Sequence, residues 1–182
     1  MDYSQTHKDI VKACMSNDRR AQFELYKLYS KGMYNICLRM VNNESDAEDI
    51  IQHSFMDVFS KLHMFKFESS IGAWIKRIVI NNTINFLKKR KLQISELNDQ
   101  IQISVQNDQD DDGHLEIDSI KNALGKLPDG YRLVFNLYAF EGYDHKEIGE
   151  IIGITEATSK SQYSRAKKKI KEILRSDFVE RI

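Results

Sequence analysis

The chain is poor in residues that interrupt a helix. It has one proline, Pro128, and eight glycines in 182 residues, so few positions lock or loosen the backbone. Its two cysteines, Cys14 and Cys37, exclude a small secreted module stapled by several disulfides. The N-terminus lacks the basic-then-apolar pattern of a secretory signal. No apolar run approaches the ~20 residues that cross a bilayer. These absences predict a cytoplasmic protein with reduced thiols.

Catalytic constellations are missing too. The five histidines, His7, His53, His63, His114 and His145, are scattered, with no H-E-x-x-H and no paired C-x-x-C. There is no phosphate-cradling glycine loop and no G-x-S-x-G. The aspartates at 108–112 lack the glycine and glutamate spacing of an EF-hand. The expectation is no catalytic residue, no metal, no cofactor and no small-molecule substrate. The two cysteines fall on apolar stripes and read as core.

Net charge is zero, but its distribution is uneven. Residues 1–92 carry 15 basic and 10 acidic side chains, 93–118 carry none and 8, and 119–182 carry 12 and 9. Two basic blocks flank an acidic strip. On charge alone they fit a polyanion partner and two solvated surfaces equally well.

Hydrophobic residues make up 41% of the chain, enough for packed cores, and they recur at helical steps. Thr6 is placed to cap a first helix with Ile10, Val11 and Cys14 inward, and Asp18 a second. In the second, Phe23, Tyr26, Met33, Cys37 and Met40 form a stripe. Ser45 and Glu48 have the spacing of a capping box before the stripe Ile51, Phe55, Val58 and Leu62. Residues 63–70 break the period. Ser69 or Ser70 then caps a fourth helix with Trp74, Ile75, Ile78 and Val79 inward, ending in the basic run Lys88–Lys91. Residues 93–114 lose periodicity in an acidic cluster too polar to order itself; the alternative is an acidic loop within one domain. Ile117, Ile120, Leu124 and Leu127 mark a fifth helix. Pro128 suits the first turn of a sixth, with Tyr131, Val134, Phe135 and Tyr138 on its stripe and Gly142 after its end. The expected fold is all-α: a bundle over 1–92, a flexible linker over 93–116 and a second bundle over 117–182.

The sharpest local pattern covers 144–170. Asp144 and Glu147 form a capping box. Gly149 is small where two helices must cross, Gly153 suits a left-handed helix end, Ile154 plugs the corner and Thr155 caps the next helix. This is the grammar of a helix-turn-helix. Its second helix presents Glu156, Thr158, Ser159, Lys160 and Gln162 where base edges lie in a major groove, then Arg165, Lys167, Lys168 and Lys169 for phosphates. A helical hairpin with a wet basic face is the plain alternative.

The first bundle mixes aromatics and cations. Phe65, Lys66 and Phe67 precede a helix carrying Lys76, Arg77, Asn81, Asn82, Asn85 and the terminal basic run. Aromatics stack on unpaired bases while cations follow the backbone. Trp74, at helical spacing, reads as core rather than as a base platform, and Phe65 and Phe67 have the plain alternative of plugging the bundle end. Asp46, Glu48, Asp49 and Gln52 make a polar start to the third helix, a solvated face or a docking one.

Taken together, Asp46-Ala47-Glu48-Asp49-Ile50-Ile51-Gln52 with Phe55, Phe59, Leu62, Phe65 and Ser69–Trp74 resembles region 2 of the extracytoplasmic-function (ECF) sigma factors. Leu127-Pro128, Tyr131-Arg132, Phe140-Glu141-Gly142-Tyr143, Glu147-Ile148 and Thr158–Ala166 resemble their region 4. The resemblance covers about 10–92 and 117–175, with no region 3 between.

It implies an alternative sigma factor that binds RNA polymerase core and directs transcription initiation. Asp46, Glu48, Asp49 and Gln52 would hold the clamp of the core. Lys66, Phe67, Glu68, Lys76, Arg77, Asn81, Asn82, Lys88, Lys89 and Arg90 would meet the −10 element. Glu156, Thr158, Ser159, Lys160, Gln162, Tyr163, Arg165, Lys167 and Lys168 would meet the −35 element, with the apolar face of region 4 on the flap. The implied partners are core polymerase, promoter DNA and an anti-sigma factor. Ser159 departs from the apolar residue usual at its position, and Gln162 from a basic one. The rival readings are a free-standing helix-turn-helix regulator and a helical protein-interaction module.

Overall fold

The computed structural model describes residues 3–97 and 115–179, with side chains described over 7–90 and 119–176. Most of the expected linker, 98–114, and the side chain of Ile117 lie outside the described residues. The elements are α1 (Tyr3–Met15), α2 (Arg19–Val41), α3 (Glu44–Lys61), a 3-10 turn (Leu62–Met64), α4 (Ile71–Leu97), α5 (Leu115–Gly125), α6 (Asp129–Ala139), α7 (His145–Ile152) and α8 (Glu156–Val179). No strand occurs among the described residues, and the fold is all-α. The chain divides into two compact units, Met1–Phe86 and Leu87–Ile182.

In the first unit, local chemistry sets the helix ends. Asp18 accepts from the backbone N–H of Arg20 at 2.8 Å and of Ala21 at 3.3 Å, starting α2. Asn42 adopts a left-handed conformation, φ 53°, and closes α2 with its N–H on the Leu38 carbonyl. Asn43, extended, opens α3 by accepting from the Asp46 N–H at 2.9 Å. Asparagine tolerates both conformations, so two residues end one helix and begin the next. Ser45 therefore stands inside the first turn of α3 and is not its cap. Thr6 likewise lies within α1. Ser70 caps α4, accepting from the Ala73 N–H at 3.2 Å. The Lys88–Lys91 run does not end that helix, which continues to Leu97.

Asn43→Ala should cost about 1 kcal/mol, while Ser45→Ala should change stability by a few tenths at most. Urea titration of the two variants decides which residue is the cap; equal effects would place it wrongly.

The core of this unit packs Leu25, Met40, Val58, Leu62, Ile75, Val79 and Ile84, each 2% exposed or less. The helix 2 stripe differs from expectation at its start: Leu25 is buried, whereas Phe23 is 68% exposed. Tyr26 sits at the edge, its ring 4.8 Å from Phe55. Cys14 and Cys37 are buried free thiols, pushed up to about 11 by burial. They stay protonated and act as core residues.

The second unit packs α5, α6 and α8 around Ala123, Leu124, Leu127, Ala166, Ile170 and Ile173. Ile120, expected inside, is 44% exposed; Ala123 takes its place. Pro128 is the N-cap of α6 and not its first helical residue. Tyr138 is also exposed, the inward positions being Leu133, Val134 and Leu137.

Candidate nucleic-acid interface

The helix-turn-helix forms as its residues predict. The Glu147 N–H donates to Asp144 Oδ1 and the Asp144 N–H to Glu147 Oε2, each at 2.8 Å, so two orphan donors at the start of α7 are satisfied reciprocally. At its end Gly153, φ 83°, turns left-handed with its N–H on the Gly149 carbonyl. A Cβ on Gly149 would lie 2.7 Å from the Ile154 carbonyl oxygen, so no side chain fits without opening the turn. Thr155 then accepts from the Thr158 N–H at 3.1 Å, which fixes where α8 starts.

Gly149→Ala should therefore cost about 1–3 kcal/mol, the scale of an overpacked site. Thermal unfolding of the variant checks this; a loss under about 0.5 kcal/mol would mean the turn yields easily.

One face of α8 turns inward through Ser159, Ala166, Ile170 and Ile173, all buried. Ser159 is 0% exposed and its hydroxyl lies 2.9 Å from His145 Nδ1 at the start of α7. The His145 ring stacks on Tyr138 at 4.4 Å, interplanar angle 13°. Ser159 thus cannot reach a base, contrary to expectation: it braces the recognition helix through a polar bond. Tyr163 is also drawn inward, its ring 4.5 Å from Tyr138 and 5.6 Å from Phe135. Gln162 is half-buried and sits near Gly130.

The outward face keeps Glu156, Thr158, Lys160, Arg165, Lys167 and Lys168 exposed. Lys160 pairs with Glu156 at 2.6 Å, which lowers the Glu156 carboxyl and raises the Lys160 ammonium; both are exposed, so the pair is weakly held. The Thr158 hydroxyl lies 2.8 Å from that of Thr155. Lys167 lies over the Tyr163 ring at 4.8 Å, a cation–π contact that draws its charge back toward the bundle. Arg165 and Lys168 are exposed cations of α8, whereas Lys160 and Lys169 pair with Glu156 and Glu172. Ser161 and Ser164 share this exposed face, although no motif singles them out. Counting helical steps from a buried position 159 would have found them.

In the first unit, the 3-10 turn and loop carry a ladder of rings. Phe65, 6% exposed, packs 5.5 Å from Trp74 and 4.9 Å from Phe67. Trp74 is half-buried, in keeping with a core role. Phe67 is 37% exposed with φ 60°, a conformation costly for a bulky residue. Lys66 and Glu68 beside it are exposed. On α4, Arg77, Asn81 and Asn85 are exposed at four-residue steps, forming one row. Lys76 is half-buried; further along α4, past the first unit's last residue, Lys88 and Lys89 are exposed and Arg90 is half-buried.

Asn82 does not join them. Its amide donates to Ser54 Oγ at 3.2 Å and Asp57 Oδ2 at 3.1 Å, tying α4 to α3; that bond, with Lys61, holds the Asp57 carboxyl below its ordinary value. Asn82 thus bridges the two helices. On α3, Glu48, Asp49 and Gln52 are exposed and Asp46 half-buried. Met56, one turn beyond Gln52, is 68% exposed and extends this surface with an apolar end.

Among the described residues no cluster of three or more histidine, cysteine or carboxylate side chains could hold a metal. No helix there is long and apolar enough to cross a membrane.

Comparisons with known proteins bear on both units. The family model for sigma-70 region 2 matches residues 25–93, and that for sigma-70 region 4 matches 117–170. The ECF RNA polymerase sigma factor SigM of Bacillus subtilis (strain 168) is 29% identical over 152 residues, 82% of this chain and 93% of its own. SigW of the same organism is 28% identical over 180 residues, 92% and 96% of the two chains. Among solved structures, the sigma factor RpoE in complex with the anti-sigma factor NepR from Bartonella quintana aligns with TM-score 0.59 and 24% identity, covering 85% of this chain and 96% of that one. That structural likeness speaks for the fold.

Proposed function

The chain belongs to the sigma-70 family, in its ECF group, and from that premise we propose how its residues divide the work of an alternative sigma factor directing transcription initiation. It is not an enzyme; the polymerase supplies the chemistry. Region 2, residues 1–92, engages core polymerase through Glu48, Asp49 and Gln52, with Asp46 at their edge. It holds the single strand of the −10 element with Lys66, Phe67, Glu68, Arg77, Asn81, Lys88 and Lys89. Region 4, residues 117–182, reads the −35 duplex with Glu156, Thr158, Lys160, Arg165 and Lys168. Residues 93–116 tether the two.

The observation that carries this reading is the separation of surfaces within region 4. The recognition helix buries Ser159, Ala166 and Ile170 and turns Arg165 and Lys168 outward, as a helix seated in a major groove requires. Core polymerase acts in the cytoplasm, which is where we place the protein. A solved relative is held by an anti-sigma factor, and a regulator of that kind is the partner we expect outside the transcription complex.

Transcription in vitro from a promoter panel, with purified core polymerase and with or without this protein, tests the proposal. Initiation should require both. Duplex binding by the protein alone, with no initiation from a cognate core, would favour the free-standing regulator instead.

A further inference from the structure

Three helices converge on one imidazole at the start of the recognition helix. Ser159 of α8 is buried, and its hydroxyl lies 2.9 Å from Nδ1 of His145, the first residue of α7. The imidazole is half-buried and held by two rings. It stacks on Tyr138 of α6 at 4.4 Å and tilts against Tyr163 of α8 at 5.6 Å. Tyr138 and Tyr163 also meet each other, their centroids 4.5 Å apart. One histidine from α7 therefore touches both α6 and α8, and its Nδ1 faces a single hydroxyl.

A buried serine hydroxyl needs a partner. Within its own helix the alternative is the carbonyl one turn back. That carbonyl belongs to Thr155 and already accepts from the Ser159 N–H at 3.0 Å. Back-bonding of this kind bends a helix. Here the bend would fall on the first turn of α8, where Thr155 accepts from the Thr158 N–H at 3.1 Å and Thr158 is exposed. Residues of that turn are the ones a major groove receives. A partner outside α8 removes the competition, and His145 is placed to be one. An apolar side chain at 159 would make no such demand. A serine there makes the geometry of the first turn depend on a residue 14 positions away.

We infer that His145 is a positioning residue for recognition of the upstream element: through Ser159 it sets the angle at which the first turn of α8 meets base edges, and so governs which sequence is preferred without touching a base. The inference rests on reading α8 as the helix that enters the −35 duplex. It separates preference from strength of binding. The exposed cations Arg165 and Lys168 suit phosphates of any sequence. A misaimed first turn lowers the preference and leaves that sequence-independent affinity in place.

The test uses holoenzyme assembled with the full chain and a promoter library randomised across the upstream element. Sequencing the bound fraction gives the preferred element. Affinities for that element and for a scrambled one then give a ratio. His145→Phe keeps a ring against Tyr138 but removes the bond to Ser159. Its ratio should fall roughly tenfold, the scale of one misread base pair, with affinity for the scrambled element unchanged. His145→Asn gives up the ring yet retains a donor and an acceptor near the Nδ1 position. It should unfold at a lower temperature than the Phe variant and still keep the ratio within about threefold of wild type. Ser159→Ala, alone or with His145→Phe, should keep the ratio as well, because an apolar pair leaves no hydroxyl unsatisfied. A ratio that His145→Phe leaves unchanged, or that follows the unfolding temperature across the variants, overturns the positioning role. So does a double variant as impaired as His145→Phe alone. If wild-type holoenzyme selects no upstream sequence, the reading of α8 as the −35 helix falls too. If it selects one and only the variants depart from expectation, that reading stands without the inference.

Discussion

Replacing Arg132 with alanine should destabilise the C-terminal bundle by about 1.5–3 kcal/mol, the scale of losing buried hydrogen bonds from a charged group. Arg132 is 4% exposed. Its Nη1 donates to the Leu127 carbonyl at 2.8 Å and the Gly125 carbonyl at 3.3 Å, while Nη2 bonds Asp129. Helix α5 ends at Gly125 and α6 begins at Asp129, so the guanidinium caps one helix and anchors the next across Pro128. Pro128 has no N–H to contribute there. Truncation leaves the buried Leu127 carbonyl without this donor, at about 1–3 kcal/mol.

Burial lowers the Arg132 pKa, and Asp129 opposes that shift; the group remains charged, which is why its partners are required. Asp129 itself is half in solvent, its side chain 51% exposed, so Asp129→Asn should cost under about 1 kcal/mol. Hydrogen exchange of α5 and α6 amides in the full chain separates the two effects. A loss of less than about 1 kcal/mol in Arg132→Ala would show that the linkage between these helices rests on apolar packing alone.

Reversing both outward cations of the recognition helix, Arg165→Glu with Lys168→Glu, should lower holoenzyme affinity for an upstream −35 duplex by about 100-fold or more at moderate salt. It should also reduce the salt slope by about two, near one for each phosphate that is no longer neutralised. Both residues are exposed on α8, so the fold should be untouched. Lys167→Glu should do less, because its ammonium lies over the Tyr163 ring rather than projecting outward. Equal loss of binding to core polymerase in the double variant would mean that this face of α8 meets protein and not DNA.

The parts legible in the sequence are those governed by neighbours close along the chain. The capping box of Asp144 and Glu147, the left-handed Gly153 and the Thr155 cap each involve residues within a few positions of one another. Steric limits on the backbone and the reach of a short side chain settle them locally. The same holds for Asp18 and for the break at 63–70. Ser45 misled because a matching spacing is necessary for a capping box but not sufficient: Asn42 and Asn43 had already closed one helix and opened the next.

The less legible residues depend on contacts between helices. Asn82 looks like a polar contact residue on α4, and only the approach of Ser54 and Asp57 from α3 makes it a bridge. Ser159 reads as a base contact from its position near the start of α8. It becomes a brace because His145 arrives from α7, held by Tyr138 from α6. Phe23 matches an apolar stripe, yet helical phase alone does not say which side of α2 the rest of the bundle covers.

By itself, then, the sequence determined the all-α class, the helix-turn-helix and the family, because helix propensity, caps and apolar period act over a few residues at a time. Only the tertiary structure decided which polar side chains are spent on holding helices together and which remain exposed. That choice turns on the burial of hydroxyls, amides and guanidinium groups brought from distant positions, whose hydrogen bonds must be satisfied once water is gone.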